Sequence, residues 1–205
     1  MKTFKFCLLL FLFNVSLFSQ EVYLSVGRNS TAYDYKNSSG ESIDGLKTGV
    51  GLSLTAGVLY YFDDEAIFHY QGGVTLNQFN ASAIISERRY SWNTNYLGLQ
   101  NLVGIRLFET HSTFSTQVNL GANISHIISG KQFSDDQSFD IKSNPEFKGV
   151  FIQPLAGLIL TYEISDFVYI TGGYNYSFAF NTSSSDEKLS FTNNQLQVGF
   201  HFKPR

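Results

Sequence analysis

Six side chains that can donate, accept or exchange protons occur near one end of stretches in which apolar and polar residues alternate. They are Tyr61, His69, Arg106, Glu163, Tyr169 and His201. Residues two apart in a strand point to the same side, and all six fall on the polar side of their stretches. Charges in a narrow enclosed space are costly unless paired, so we expect an ion pair between Arg106 and Glu163. A structural plug and a gate or proton-sensitive switch both remain open, since histidine titrates near neutral pH.

No set of residues predicts catalysis, a metal site or a cofactor. His126 and Ser129 are three positions apart, and strict alternation puts them on opposite faces of one strand. The acidic stretch from Ser134 to Asp140 lacks the spacing and the glycine of a twelve-residue calcium loop. Glu87-Arg88-Arg89 forms a charged rim able to contact phosphate groups. We expect no enzyme activity, no cofactor and no metal.

Eight alternating runs have to position these side chains. A period of two predicts strands, each with one apolar face. The second, fourth and sixth runs end in short polar turns, whereas longer polar loops follow the odd-numbered runs. The longest loop extends from Lys131 to Lys148. This alternation of short and long connections is typical of membrane-spanning barrels. The runs lie near residues 21–34, 48–62, 66–81, 90–108, 113–130, 149–163, 167–182 and 188–203.

The composition favours a lipid-facing surface over a water-facing one. Hydrophobic residues make up 43% and aromatic residues 16% of the chain, but charged residues only 15%. Soluble domains usually carry roughly 25% charged residues. The net charge of −3 argues against a nucleic-acid partner, which favours a basic surface.

Residues 1–20 predict a secretory signal peptide. Lys2 and Lys5 precede an apolar stretch from Cys7 to Phe13, and a short polar segment follows where cleavage is expected. The single cysteine would be removed, so the mature chain would hold no disulfide. We expect residues 21–205 to form one barrel domain. Beyond residue 20 no uncharged apolar run reaches the roughly 18 residues of a membrane helix.

The two faces of each run distinguish a membrane barrel from a soluble one. From Val50 to Val58 apolar residues alternate with Gly, Ser and Thr, and from Gln117 to Ser125 they alternate with Gln, Asn, Gly and Ser. Small uncharged residues suit a crowded lumen better than a solvated exterior. A soluble lipid carrier would instead turn its apolar face inward and expose charge. We therefore predict an all-β, antiparallel up-and-down transmembrane β-barrel of about eight strands.

Aromatic residues on the apolar face are expected to mark the two membrane interfaces. One group lies beside the short turns and the other toward the long loops. The predicted interface residues are Tyr60, Phe62, Phe68, Tyr70, Phe114, Tyr162, Phe200 and Phe202, and then Tyr176, Phe178 and Phe180.

Together, the signal peptide, the hairpin from Leu54 to Gly73 and the last strand resemble the small outer-membrane barrels of the OmpA/OmpX-like type, especially the barrel-only versions common in Bacteroidota. The last strand resembles the signal read by the barrel-assembly machinery, although Lys203, Pro204 and Arg205 follow it. The signal residues are Leu196, Val198, Gly199, Phe200 and Phe202. The resemblance implies a Gram-negative outer membrane, extracellular long loops, and outer-membrane lipids and lipopolysaccharide as partners. A further envelope or surface protein partner is possible, its identity unknown.

Three functions remain open at this point. The first is a structural or surface-interaction barrel whose lumen is mostly plugged by polar side chains. The second is a narrow porin-like channel, for which glycines such as Gly49 and Gly121 would leave space. The third is a lipid A modifying enzyme or a soluble lipocalin-like carrier. Two irregularities, Pro154 and the segment 192–195, predict β-bulges.

Overall fold

The computed structural model of the protein describes residues 20–42, 45–63, 65–85, 87–110, 113–135 and 137–203. The predicted signal peptide lies outside these ranges, apart from Gln20, which begins the first strand. No helix in the described ranges is long and apolar enough to cross a membrane. The strands are β1 Gln20–Lys36, β2 Leu46–Tyr61, β3 Phe68–Ile85, β4 Arg88–Thr110, β5 Phe114–Ser134, β6 Gln137–Asp140, β7 Val150–Ser165, β8 Val168–Asn181 and β9 Lys188–Phe202.

Eight of these strands close into an antiparallel barrel. Neighbours in the chain pair from β1 to β5, then β5 pairs with β7, β7 with β8 and β8 with β9, and β9 returns to β1. The predicted fold class is confirmed. The short strand β6 pairs only with the end of β5, from Lys131 to Ser134. It was not predicted, because it lies in the polar stretch that we interpreted as a loop.

The connections β2–β3, β4–β5 and β7–β8 lie at one end of the barrel, called here the turn end, and the other connections lie at the loop end. The prediction of a long loop after the third run is wrong, because β3 extends to Ile85 and β4 begins at Arg88, so a two-residue connection joins them. In the β2–β3 turn the Asp63 carboxylate accepts hydrogen bonds from the backbone N–H groups of Ile67 (2.8 Å) and Phe68 (2.7 Å). These bonds, led by that from Ile67, favour the charged form and lower the pKa of Asp63 below its ordinary value. A single aspartate thus fixes the turn.

The outer face of the barrel is apolar and the inner face is buried, as alternation predicts. Leu52 is 68% exposed and Leu99 59% exposed, whereas the adjacent inward Ser53 and Gly98 are buried. All eleven predicted interface aromatics lie on the outer face, partly or largely exposed. Rings from neighbouring strands meet there, as for Phe114 and Tyr162 at 4.7 Å between centroids. An apolar outer face with a buried inner face contradicts the soluble-carrier alternative.

Both predicted bulges are wrong. The β7–β8 ladder skips Gln153 and Pro154 but resumes in the same register. The last strand keeps a single register with β1 along its length. The apolar parity changes in β9 because Leu189 and Phe191 point into the lumen, whereas Leu196 and later apolar residues point outward. Register shifts occur instead near Thr48, Tyr96, Arg106 and Glu163.

Candidate functional site

The turn end of the lumen contains a polar cavity of about 220 Å³. Five of the six side chains selected from the sequence line it, and the structure therefore brings them together. They are Tyr61, Arg106, Glu163, Tyr169 and His201. The sixth, His69, lies next to Tyr61, with 6.0 Å between ring centroids.

Glu21 and His201 are in close contact in this cavity, and the contact is an ion pair when the imidazole is protonated. Glu21 Oε2 lies 3.5 Å from His201 Nδ1, and both side chains are buried. Glu21 was missed because it adjoins the expected cleavage site. Its odd number, shared with inward-facing Tyr23 and Ser25, is the signal that would have placed it in the lumen.

Arg106 contacts an aromatic ring in the same cavity. Its Nη2 donates a hydrogen bond to the Tyr61 hydroxyl at 3.3 Å, and its Cζ lies 5.5 Å from the centre of the Tyr61 ring. That geometry is a cation–π contact. Glu163 lines the cavity as well, and its predicted ion pair with Arg106 stays a prediction.

His69 forms the boundary between this cavity and the middle of the lumen. One of its ring nitrogens, Nε2, lies 2.9 Å from Asn119 Oδ1, and the Asn119 amide donates to Gln71 Oε1 at 3.1 Å. No hydrogen-bond partner within the described ranges reaches His69 Nδ1. Gly104 faces this pair, and a methyl group in place of its hydrogen would overlap both side chains. The absence of a side chain at Gly104 therefore makes room for the His69–Asn119 contact.

The middle of the lumen is filled by amide and hydroxyl side chains. Asn123 accepts a hydrogen bond from Thr75 at 3.1 Å and donates to Gln153 at 3.2 Å, and Gln153 in turn donates to Ser177 at 2.7 Å. These bonds cross the interior between β3, β5, β7 and β8. The polar parity indicated such a lining, but not which amides would meet.

The loop end of the lumen is apolar, which the prediction of a mostly polar lumen did not anticipate. Rings from four strands meet in its centre and are almost completely buried. The ring centroids of Phe79 and Phe191 lie 4.6 Å apart, those of Tyr96 and Phe151 5.1 Å apart, and those of Phe151 and Phe191 5.7 Å apart. Ile127, Ile141 and Phe147 complete this aromatic cluster with Tyr33, Ala81, Ala179 and Leu189.

On the outer face, His126 and Ser129 lie on the same side of β5, contrary to the prediction from strict alternation. A register shift between β4 and β5 at Asn95 and Tyr96 adds one residue on β5 and reverses the parity. His126 Nδ1 lies 2.7 Å from the Gly149 carbonyl oxygen, and Ser129 accepts a hydrogen bond from Asn95 at 2.9 Å. Within the described ranges these contacts do not join the two side chains to each other.

The last strand places Leu196, Val198, Phe200 and Phe202 outward, with Gly199 inward against Ser25 and Thr171. This is the alternation on which the assembly-signal prediction depends, and the signal itself stays a prediction. Within the part of the chain that the structure describes, no three His, Cys, Asp or Glu side chains are close enough to hold a metal ion.

Solved structures are similar to this barrel, whereas no protein-family model and no curated protein matches the sequence. Neisserial surface protein A superposes with a TM-score of 0.52 at 15% identity, over 89% of this chain and 97% of that chain. OprG from Pseudomonas aeruginosa gives 0.49 at 15% identity, over 91% and 96%. Ail, the attachment invasion locus protein of Yersinia pestis, gives 0.44 at 17% identity, over 90% and 99%.

The predicted resemblance is therefore confirmed at the level of fold. A closed barrel of eight strands, tight turns at one end and an apolar outer belt are the features of proteins embedded in a bacterial outer membrane. By the same rule the turn end is periplasmic and the loop end extracellular. The chain has the fold of the small outer-membrane β-barrels of the OmpA/OmpX-like type and is integral to that membrane.

Proposed function

We propose that the protein has a structural or surface-interaction role and does not conduct solutes. The observation that carries this proposal is the aromatic cluster at the loop end. Phe79 on β3, Tyr96 on β4, Phe151 on β7 and Phe191 on β9 come from different sides of the ring of strands, and their rings touch in the middle. Interiors packed in this way hold few voids as large as a water molecule.

The lumen glycines do not support the channel alternative. A methyl group at Gly49 or Gly51 would overlap the backbone of β3, and one at Gly121 would overlap the backbone of β4. These glycines allow close approach of neighbouring strands instead of leaving open space. The polar cavity at the turn end is then a pocket on the periplasmic side of the aromatic cluster, lined by polar side chains.

A non-enzymatic role is part of the same proposal. His126 is hydrogen-bonded to the backbone carbonyl group of Gly149, and Ser129 to the side-chain amide of Asn95. Neither contact activates the serine as a nucleophile, which would need a base within hydrogen-bond reach. A role at the cell surface agrees with the folded extracellular end of the barrel. The similar Neisserial protein is likewise named a surface protein.

Conductance across a planar lipid bilayer tests this proposal. We expect no stable current steps from the wild-type barrel. A double variant, Phe79→Ala with Phe191→Ala, removes two rings from the centre of the lumen and is expected to produce steps. The matched control, Phe178→Ala with Phe180→Ala, removes two rings from the outer face and is expected to stay silent.

Slower gel migration after boiling than before would show that each variant is folded. Wild-type current steps as large as those of the lumen variant would contradict the proposal and favour the narrow channel.

A further inference from the structure

A separate cavity of about 240 Å³ lies at the loop end, beside the aromatic cluster. Its walls are mainly aromatic and it includes one acidic side chain. Tyr33, Tyr35, Tyr90, Trp92, Phe147 and Glu146 line it. Tyr33 and Phe147 are buried, whereas Tyr35, Tyr90 and Trp92 are partly exposed, so the cavity is accessible from water.

Glu146 places a carboxylate in this aromatic cavity without a cation beside it. The residue is only 8% exposed, and Oε1 accepts one hydrogen bond, from the Asn144 amide at 3.3 Å. Among the described residues, no Lys, Arg or His nitrogen lies within 4 Å of its carboxylate. A carboxylate that is largely withdrawn from water attracts a cation more strongly than an exposed one, because water screens the attraction less.

The aromatic walls suit a cation that is also partly apolar. Tyr90 and Trp92 stack with 6.2 Å between ring centroids and an interplanar angle of 21°. Trp is the strongest cation–π partner among the side chains, followed by Tyr and Phe. Aromatic side chains around one carboxylate thus match an ammonium group that carries alkyl substituents, since a bare metal ion would need several oxygen ligands.

The segment that carries Glu146 is held in place before any ligand binds. The Asn181 side chain donates to the backbone carbonyl groups of Glu146 and Lys148, both at 2.8 Å. Ile141 and Phe147, on either side, are buried in the aromatic cluster. A pocket that is already formed loses less free energy to ordering when it binds.

We propose that this cavity binds an alkylammonium group of the kind found in a choline headgroup or at the end of a lysine side chain. The proposal extends the proposed surface-interaction role. It depends on that role in one respect, namely that the loop end faces the extracellular medium. Binding and conductance are measured separately, so a conducting barrel would overturn the proposed role and leave this site untouched.

The single tryptophan of the chain lies in the cavity, so its fluorescence reports on binding without a label. The purified full barrel in detergent would be titrated with choline, with butylammonium and with 3,3-dimethylbutan-1-ol, the uncharged isostere of choline. We expect a saturable change with the two cations. The uncharged isostere should bind at least about tenfold more weakly, a difference of roughly 1.4 kcal/mol. Tighter choline binding would indicate a headgroup-like ligand, and tighter butylammonium binding a lysine-like one.

Two variants distinguish the effect of the Glu146 charge from an effect on folding. Glu146→Gln keeps an acceptor for Asn144 and removes the charge, so cation binding should fall about tenfold or more while the isostere is unaffected. Glu41→Gln removes an exposed acidic group from another loop and should change nothing. Equal binding of choline and its isostere, equal binding to wild type and Glu146→Gln, or no saturable change with either cation would each overturn the proposal.

Discussion

The two ends of the lumen are built from the same strands and are stabilised by different forces. At the turn end, Glu21 contacts His201 and Arg106 contacts Tyr61, so polar contacts and hydrogen bonds stabilise the interior. At the loop end, Phe79 and Phe191 pack among other buried rings, so dispersion and the exclusion of water stabilise the interior. The direction in which a strand residue points is therefore set by parity, but the chemistry of the lumen changes along the barrel axis.

The largest expected effect is the loss of a ring from the aromatic cluster. Phe191→Ala should lower the free energy of unfolding by about 3–5 kcal/mol, because the buried ring leaves a cavity. Phe178→Ala removes the same group from the outer face, where the side chain is 44% exposed, and should cost clearly less. Urea unfolding of the two variants in lipid vesicles provides the comparison. Equal losses would mean that the cluster is not tightly packed.

An intermediate effect is expected at the boundary of the polar end. Gly104→Ala introduces a methyl group against His69 and Asn119 and should cost about 1–3 kcal/mol. Gly172→Ala is the matched control, since a methyl group there has no neighbour within 4 Å in the described part of the chain. The control should be neutral or slightly stabilising, because alanine restricts the unfolded chain. The same unfolding assay applies, and a neutral Gly104→Ala would show that the His69–Asn119 contact adapts freely.

The smallest effect is expected in the turn that closes the periplasmic side. Folding lowers the pKa of Asp63, so its carboxylate stabilises the turn above the ordinary value of 3.8. That contribution should disappear as pH falls through the lowered pKa. Amide hydrogen exchange at Ile67 and Phe68 should therefore accelerate in acid relative to Asp63→Asn, in which the turn is already weakened. Identical pH profiles for wild type and variant would contradict this role of the aspartate.

Strand parity was sufficient to predict most of the fold. The alternation around Val50 and Phe114 gave the strands, their faces and the barrel, because a period of two is a direct consequence of backbone geometry. It also assigned Tyr61, Arg106, Glu163 and the other polar residues to one end, since each lies a similar distance from a short turn.

Three features could not be obtained from alternation alone. The extra residue near Ile128 reverses the parity of Ser129, and nothing in the local sequence indicates a bulge there. The apolar loop end was mistaken for a bulge in β9, because an inward Phe191 breaks the pattern in the same way as a shifted register. The contact between Glu21 and His201 joins the first strand to the last, and such long-range contacts leave no local pattern.

The length of β5 has a consequence for how the protein meets its surroundings. A membrane crossing takes about 9–11 tilted residues, and β5 has 21. At the far end of this surplus, Lys131 to Ser134 pair with β6, and at a rise of about 3.3 Å per residue this two-stranded ribbon is about 13 Å long. An approaching molecule meets this ribbon before it meets the bilayer. The aromatic cavity, whose wall includes Gln132 of that ribbon, is thus reached from the extracellular side without crossing the lipid.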